Sequence, residues 1–304
     1  MKFTLFGVPT SAGTHGIGQD KAPMQLRRAG LVDRLLDAGV DVADDGDLPL
    51  ALYRSGSPDR LQQNLDLVVT VAQRVADRVE QVARGGRAPV VLGGDCTITL
   101  GVVAGLQRLR PDLGLMYFDG DADLHTPETT HSGILDEMGV AILLGDGAPA
   151  LTHLGSRHPM LTPQRLVLFG FNPIGLARIE EQRIADYGLP AWPVDSVAGQ
   201  PAQAAAEAWA ALASRAESVL LHFDVDAIDS TDLPLANYPH FNLGQTFDSA
   251  MTCLAKFCGN PQFAGLVLTE VNPDHDADGS QLTRLIDGVV NALSAASAPA
   301  GKLP

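Results

Sequence analysis

Leu113-Gly114-Leu115-Met116-Tyr117-Phe118-Asp119-Gly120-Asp121-Ala122-Asp123 is the stretch that decides the fold. An apolar run without polar alternation leads straight into carboxylates at alternate positions. Such a run reads as a strand buried on both faces, the pattern of a parallel sheet. The carboxylates project from one face of an extended segment. Like charges that close repel strongly unless a proton or a cation intervenes.

Outward from this stretch, similar apolar runs occupy residues 3–8, 90–92, 166–171, 219–223 and 266–268. Helical patterns fill the gaps at 23–38, 60–84, 97–109, 179–187, 202–215, 247–257 and 282–295. Strand–helix alternation predicts an α/β chain with helices on both faces of a mostly parallel sheet. No linker-like composition divides it, so residues 1–304 read as a single domain, with 295–304 as a frayed tail.

The 304 residues are 45% apolar and 19% charged, an ordinary globular balance that excludes disorder and fibrous repeats. A net charge of −15 argues against nucleic acid, whose phosphates need a basic footprint. No run is long enough to span a membrane, and the start lacks the pattern of a secretory signal. Cys96, Cys253 and Cys258 are an odd set without disulfide-like spacing, which predicts a reducing cytoplasm.

Ligands of open α/β sheets sit beyond the carboxyl ends of the strands. Residues 90–92 are followed by Gly93-Gly94-Asp95-Cys96, whose glycines permit a tight strand-to-helix turn. Cys96 falls near a helix N-terminus, a position that favours the thiolate. Residues 219–223 are followed by Asp224-Val225-Asp226, and residues 266–268 lead to Glu270-Val271-Asn272-Pro273. Asp119, Asp121, Asp123, Asp224, Asp226 and Glu270 thus converge at strand ends. Hard oxygen ligands in that number call for Mg, Ca or Mn, and a pair of divalent ions offsets most of the charge. The Asp119 segment is no EF-hand loop: its sixth position is Leu124 and its twelfth Thr130. No zinc-finger spacing occurs, and Cys253 and Cys258 read as core.

Taken together and in order, these blocks resemble the ureohydrolase superfamily of arginases, agmatinases and formiminoglutamases. Thr126-Pro127, Ser132-Gly133 and the opening Gly7-Val8-Pro9 add to the likeness. The resemblance implies a three-layer α/β/α sandwich and a binuclear manganese site. It implies hydrolysis of a guanidino or amidino C–N bond by a metal-bridging hydroxide, releasing urea or a urea analogue. It assigns Asp119 and Asp224 to both metals, Asp123 to one metal and to proton transfer, and Asp226 to the other metal. Glu270 would pair with the substrate guanidinium, and Thr130 and Ser132 would bind the rest of the substrate. It also suggests a homo-oligomer, a trimer or hexamer.

The chain departs from that pattern at defined points. The family's histidine after Gly-Gly-Asp is Cys96 here, and the histidine between the aspartates is Asp121. The histidine beyond Ser-Gly becomes Asp136 at that spacing. The asparagine before Thr-Pro becomes His125, a candidate proton relay with His131. A cysteine at the first ligand position looks like an atypical branch that includes a hydroxyarginine amidinohydrolase. Carboxylate at Asp121 hardens one metal site and thiol at Cys96 softens the other, which predicts one tight and one labile metal. Two other readings compete. Phe118-Asp119-Gly120-Asp121 also resembles the nucleophile motif of haloacid-dehalogenase-like phosphatases, with Lys256 as the cation. Loss of histidine ligands also fits a metal-poor homologue serving as a binding or regulatory subunit.

Overall fold

The computed structural model describes residues 1–297. Strand β1 (Lys2–Gly7), helices α1 (Ala22–Arg28) and α2 (Leu31–Asp37) and strand β2 (Asp41–Asp47) come first. Helix α3 (Leu65–Arg84), β3 (Ala88–Leu92), α4 (Ile98–Gln107) and β4 (Leu113–Phe118) follow. Short helices α5 (Gly139–Leu143) and α6 (Pro149–Thr152) lead to β5 (Leu166–Phe169), α7 (Arg178–Tyr187), β6 (Ala191–Trp192) and α8 (Val194–Val197). Helix α9 (Pro201–Ala213), β7 (Ser218–Asp224), α10 (Phe247–Cys258), β8 (Phe263–Thr269) and α11 (Ser280–Ser297) complete the described chain.

All eight strands are parallel, in the order β2-β1-β3-β8-β7-β4-β5-β6. The six apolar runs read from the sequence are β1, β3, β4, β5, β7 and β8. Each divides its side chains between two cores. Met116 and Phe118 of β4 enter the core beneath α1, α2, α9, α10 and α11. Leu115 and Tyr117 enter the opposite core, beneath α3 and α4. Burial on both sides is why these strands show no polar alternation. The α/β/α sandwich stands as read.

Two strands were not evident in the sequence. Strand β2, Asp-Val-Ala-Asp-Asp-Gly-Asp, lies at a sheet edge with mostly exposed side chains. Edge charge of this kind discourages edge-to-edge pairing. Strand β6, at the other edge, spans only Ala191–Trp192. The single helix expected over 23–38 is two, because Gly30 takes a left-handed φ of 90° between α1 and α2. Helix α11 carries Ala295 through Ser297, and the rest of the expected tail lies outside the described residues. Among the described residues no helix is long and apolar enough to cross a membrane.

Helices α3 and α4 pack closely because α4 carries glycine four residues apart. A Cβ at Gly101 would lie 2.4 Å from the Ala72 carbonyl oxygen, and one at Gly105 would lie 2.5 Å from that of Ala76. Both obstacles are backbone and cannot rotate away. Gly105→Val is therefore expected to lower stability by about 3 kcal/mol, the upper end of overpacking costs. Urea unfolding followed by circular dichroism checks this; an unchanged midpoint would show that α4 shifts freely.

Candidate metal centre and active site

Strands β3, β8, β7 and β4 are neighbours in the sheet, so their carboxyl ends form one edge. The Gly93-Gly94 turn lets the chain after β3 pass close to the chain after β1. A Cβ at Gly94 would lie 1.9 Å from the Thr10 carbonyl oxygen. Asp95, fully buried, accepts hydrogen bonds from Gly13 N (3.1 Å), Thr97 N (3.2 Å) and Thr10 Oγ1 (3.3 Å). That network sets Cys96 against the acids.

The two aspartate loops brace each other. Asp119 Oδ1 accepts from Asp121 N and Asp224 Oδ1 from Asp226 N, both at 2.8 Å. Asp226 Oδ1 accepts from Gly120 N at 2.9 Å. Cys96 Sγ lies 2.7 Å from Asp224 Oδ2 and 3.3 Å from Thr269 Oγ1. Asp136 accepts the Cys96 backbone N–H at 2.7 Å. Asp123 accepts from the Tyr117 hydroxyl.

Two acids sit on left-handed backbone, where non-glycine residues are uncommon. Asp123 has φ 49° and Glu270 φ 58°. Surrounding bonds hold both in place, as strain at a working site requires. The Asp123 carbonyl accepts from Val140 N (3.1 Å) and Ala141 N (3.2 Å) at the start of α5. Glu270 N donates to Gly94 O and its carbonyl accepts from Asn237 N, each at 3.0 Å. The Glu270 side chain is 1% exposed, and among the described residues neither carboxylate oxygen has a hydrogen-bond partner.

These residues surround a cavity of 320 Å³. Cys96, Asp119, Asp121, Asp123, Asp136, Asp224, Asp226, Glu270 and Ser132 all line it. Three expected residues do not, and of these His131 is exposed outside it. His125 turns instead toward Glu180 of α7, 3.8 Å away. Thr130 folds its own loop: its hydroxyl donates to Glu137 and accepts from Gly133 N (2.7 Å) and Ser132 N (3.1 Å). Both side chains are spent locally, which spacing in a loop does not reveal. The lining also includes His15, Ile134, Glu137 and Tyr238, none of them picked out from the sequence. His15 follows β1, so the strand-end rule was the available signal for it.

Burial, then repulsion from Asp226, pushes Asp119 well above the ordinary carboxylate range. Burial likewise raises Asp123, Asp136, Asp224 and Glu270, with neighbouring carboxylates adding to it. Burial and the surrounding acids also raise the Cys96 thiol. Without a cation, desolvation and the acids outweigh the helix end that would favour the thiolate. His222, buried in β7, is pushed down to about 3 by desolvation. His240, hydrogen-bonded to Asp121 and close to Asp226, is raised to about 11.

Among the described residues no lysine or arginine lines the cavity. One imidazolium at His240 does not balance a pocket of acids with an unpaired buried carboxylate. The donors fall into close groups with atoms within 4.8 Å of one another: Cys96, Asp119, His222 and Asp224; Asp121, Asp226 and His240; and Cys96, Asp136 and Glu270. Carboxylate oxygen with imidazole and thiol fits divalent cations.

An all-parallel sheet with such donors at adjoining strand ends defines a metal-binding α/β enzyme. The comparisons with known proteins agree. The Arginase family profile matches residues 1–294. The chain is 32% identical over 276 residues to the arginase of Bacillus caldovelox, spanning 89% of this chain and 90% of that protein. The structure of that arginase superposes with a TM-score of 0.87, covering 96% of this chain and 98% of the other at 29% identity. Human Arginase-1 is 28% identical over 291 residues, 94% of this chain and 89% of that protein. The chain therefore belongs to the arginase family, a family of hydrolases acting on amidino C–N bonds. The phosphatase reading falls with this result, and its required Lys256 is an exposed residue of α10 outside the cavity.

Proposed function

We propose that the chain hydrolyses a guanidino or amidino C–N bond in a small cationic substrate, releasing urea or a urea analogue. The observation that carries this reading is Glu270, a buried carboxylate with both oxygens free beside the donor groups. A planar guanidinium offers paired N–H donors to such a group. The cavity volume of 320 Å³ suits a small ligand. The excess of acids on its walls favours a cation.

Cys96, Asp119 and Asp224 would hold one divalent ion, Asp121 and Asp226 another, with Asp123 alongside; manganese is the ion the family supports. When bound, such ions supply Lewis acidity and a water acidified toward neutral pH. Glu270 holds the guanidinium so that its carbon faces the donor groups. Asp123 receives a proton and passes it to the leaving nitrogen, with the Tyr117 hydroxyl fixing its carboxylate. Asp136 and Ser132 line the same cavity and border the substrate. Residues 1–304 act as one domain in a homo-oligomer, a trimer or hexamer, in the cytoplasm.

The test pairs metal analysis with a substrate screen. Protein purified without chelators is expected to carry manganese, rising toward two ions per chain on loading. Urea release from a panel of guanidino compounds should stop on chelation and return with manganese. A folded protein that binds no metal and releases no urea overturns the reading.

A further inference from the structure

The resemblance places histidine where this chain has Cys96 and Asp121, yet two of the close donor groups contain an imidazole from elsewhere. From this geometry we infer that His222 and His240 are metal ligands, imidazoles relocated to other elements to complete the two sites. The inference rests on the two-metal reading above and extends its donor set.

His222 lies on β7 two residues before Asp224, so both side chains leave the strand on one face. It is fully buried and interrupts an otherwise apolar run. Its Nδ1 is 2.8 Å from the Thr99 hydroxyl on α4, and its Nε2 is 3.1 Å from Asp119 Oδ2. The ring lies flat against Tyr117, with centroids 4.1 Å apart and planes 6° apart. A ring clamped at one nitrogen presents the other in a fixed direction, which is how ligating histidines are oriented. In the tautomer whose Nδ1–H donates to Thr99, a bare Nε2 faces the Asp119 carboxylate, and two lone pairs meeting in a buried site need a cation between them. The other tautomer donates Nε2–H to Asp119 and needs no cation, so nitrogen coupling decides between them. Cys96 Sγ and an Asp224 oxygen lie within 4.8 Å of the same donor atoms.

His240 sits in the loop between β7 and α10. Its Nε2 is 3.2 Å from Asp121 Oδ2 and 3.7 Å from Asp226 Oδ2. Its carbonyl accepts from Ser230 N at 2.8 Å, which anchors the loop. Gly120 leaves room for the ring: a Cβ there would lie 2.9 Å from His240 Cδ2. As a ligand, neutral His240 adds a donor to the metal. As a mere counter-cation it would compete with the metal, so the two roles predict opposite effects of its removal.

The experiment titrates manganese into chelator-treated full-length protein and reads imidazole-nitrogen coupling by pulsed electron paramagnetic resonance. Wild type is expected to show nitrogen coupling at both sites. His222→Gln and His240→Ala should each weaken one site by more than about 100-fold, beyond the cost of losing an outer partner of a ligand. Each should lose its own nitrogen coupling. Thr99→Val keeps His222 but frees its ring, and should weaken the first site by about 10–100-fold. That variant carries the His222 test if His222→Gln does not fold. Wild-type affinity and coupling in the histidine variants overturn the inference and leave the hydrolase reading standing. Tighter manganese binding by His240→Ala assigns that residue as a counter-cation and overturns its half. Absence of manganese binding by folded wild type overturns both readings.

Discussion

Glu270→Gln is expected to stabilise the metal-free protein while removing its activity. The side chain is buried and its two oxygens have no partner. Burial and nearby carboxylates already oppose its charge. The amide keeps the shape, the left-handed backbone and its bonds to Gly94 and Asn237, but carries no charge to desolvate. Removing the charge relieves repulsion from the neighbouring acids, worth roughly 1 kcal/mol, while the amide's own polar atoms stay unpartnered. The same change removes the charge-assisted hydrogen bonds proposed to hold the guanidinium. Losing about 3 kcal/mol of that attraction lowers kcat/KM by about 100-fold or more. Urea unfolding in chelator and urea release after manganese loading measure the two effects. A destabilised variant with normal turnover would make Glu270 a structural carboxylate and sink the proposed role.

Asp123→Asn is expected to lower kcat by about 10²–10⁴-fold, the range for loss of a positioned acid–base group. The amide oxygen can still accept from Tyr117, and the backbone carbonyl still caps α5. KM is therefore expected to stay close to that of wild type. Tyr117→Phe leaves the carboxylate in place and should cost less than Asp123→Asn. Steady-state urea release, with metal content measured on the same samples, separates lost proton transfer from lost metal. Activity within a few fold of wild type would place the proton carrier elsewhere, with Asp136 the neighbouring candidate.

The central strands were legible because double-sided burial leaves a plain signature. Strand β4 begins and ends where its apolar run does. Strand β2 was hidden because it needs only one neighbour and keeps its acids in water. The break between α1 and α2 turns on the backbone of Gly30, which an apolar period does not register. At the site, the acids were visible because each follows a strand, and strand ends converge in any sheet of this kind. His125 and Thr130 were misplaced because loop side chains are often consumed by their own turns. His240 comes from a loop with no periodic marker. His222 did leave a trace, a polar ring inside the run 219–223. Its meaning lies in Thr99 and Asp119, 123 and 103 residues away along the chain.

The sheet order also fixes when this site can come into being. Strand β8 lies between β3 and β7, although it is the last strand of the described chain. Before it docks, the sheet is two fragments, β2-β1-β3 and β7-β4-β5-β6. The first fragment carries Cys96, and the second carries Asp119 and Asp224. Joining them requires closure over long sequence separations, an intrinsically slow step. Until β8 docks, Cys96 and Glu270 therefore stand apart from the aspartates that follow β4 and β7. The group of Asp121, Asp226 and His240 needs only the second fragment, whereas the groups that include Cys96 wait for the join. Ion capture at the Cys96 group becomes a late checkpoint of assembly, passed once β8 has threaded home.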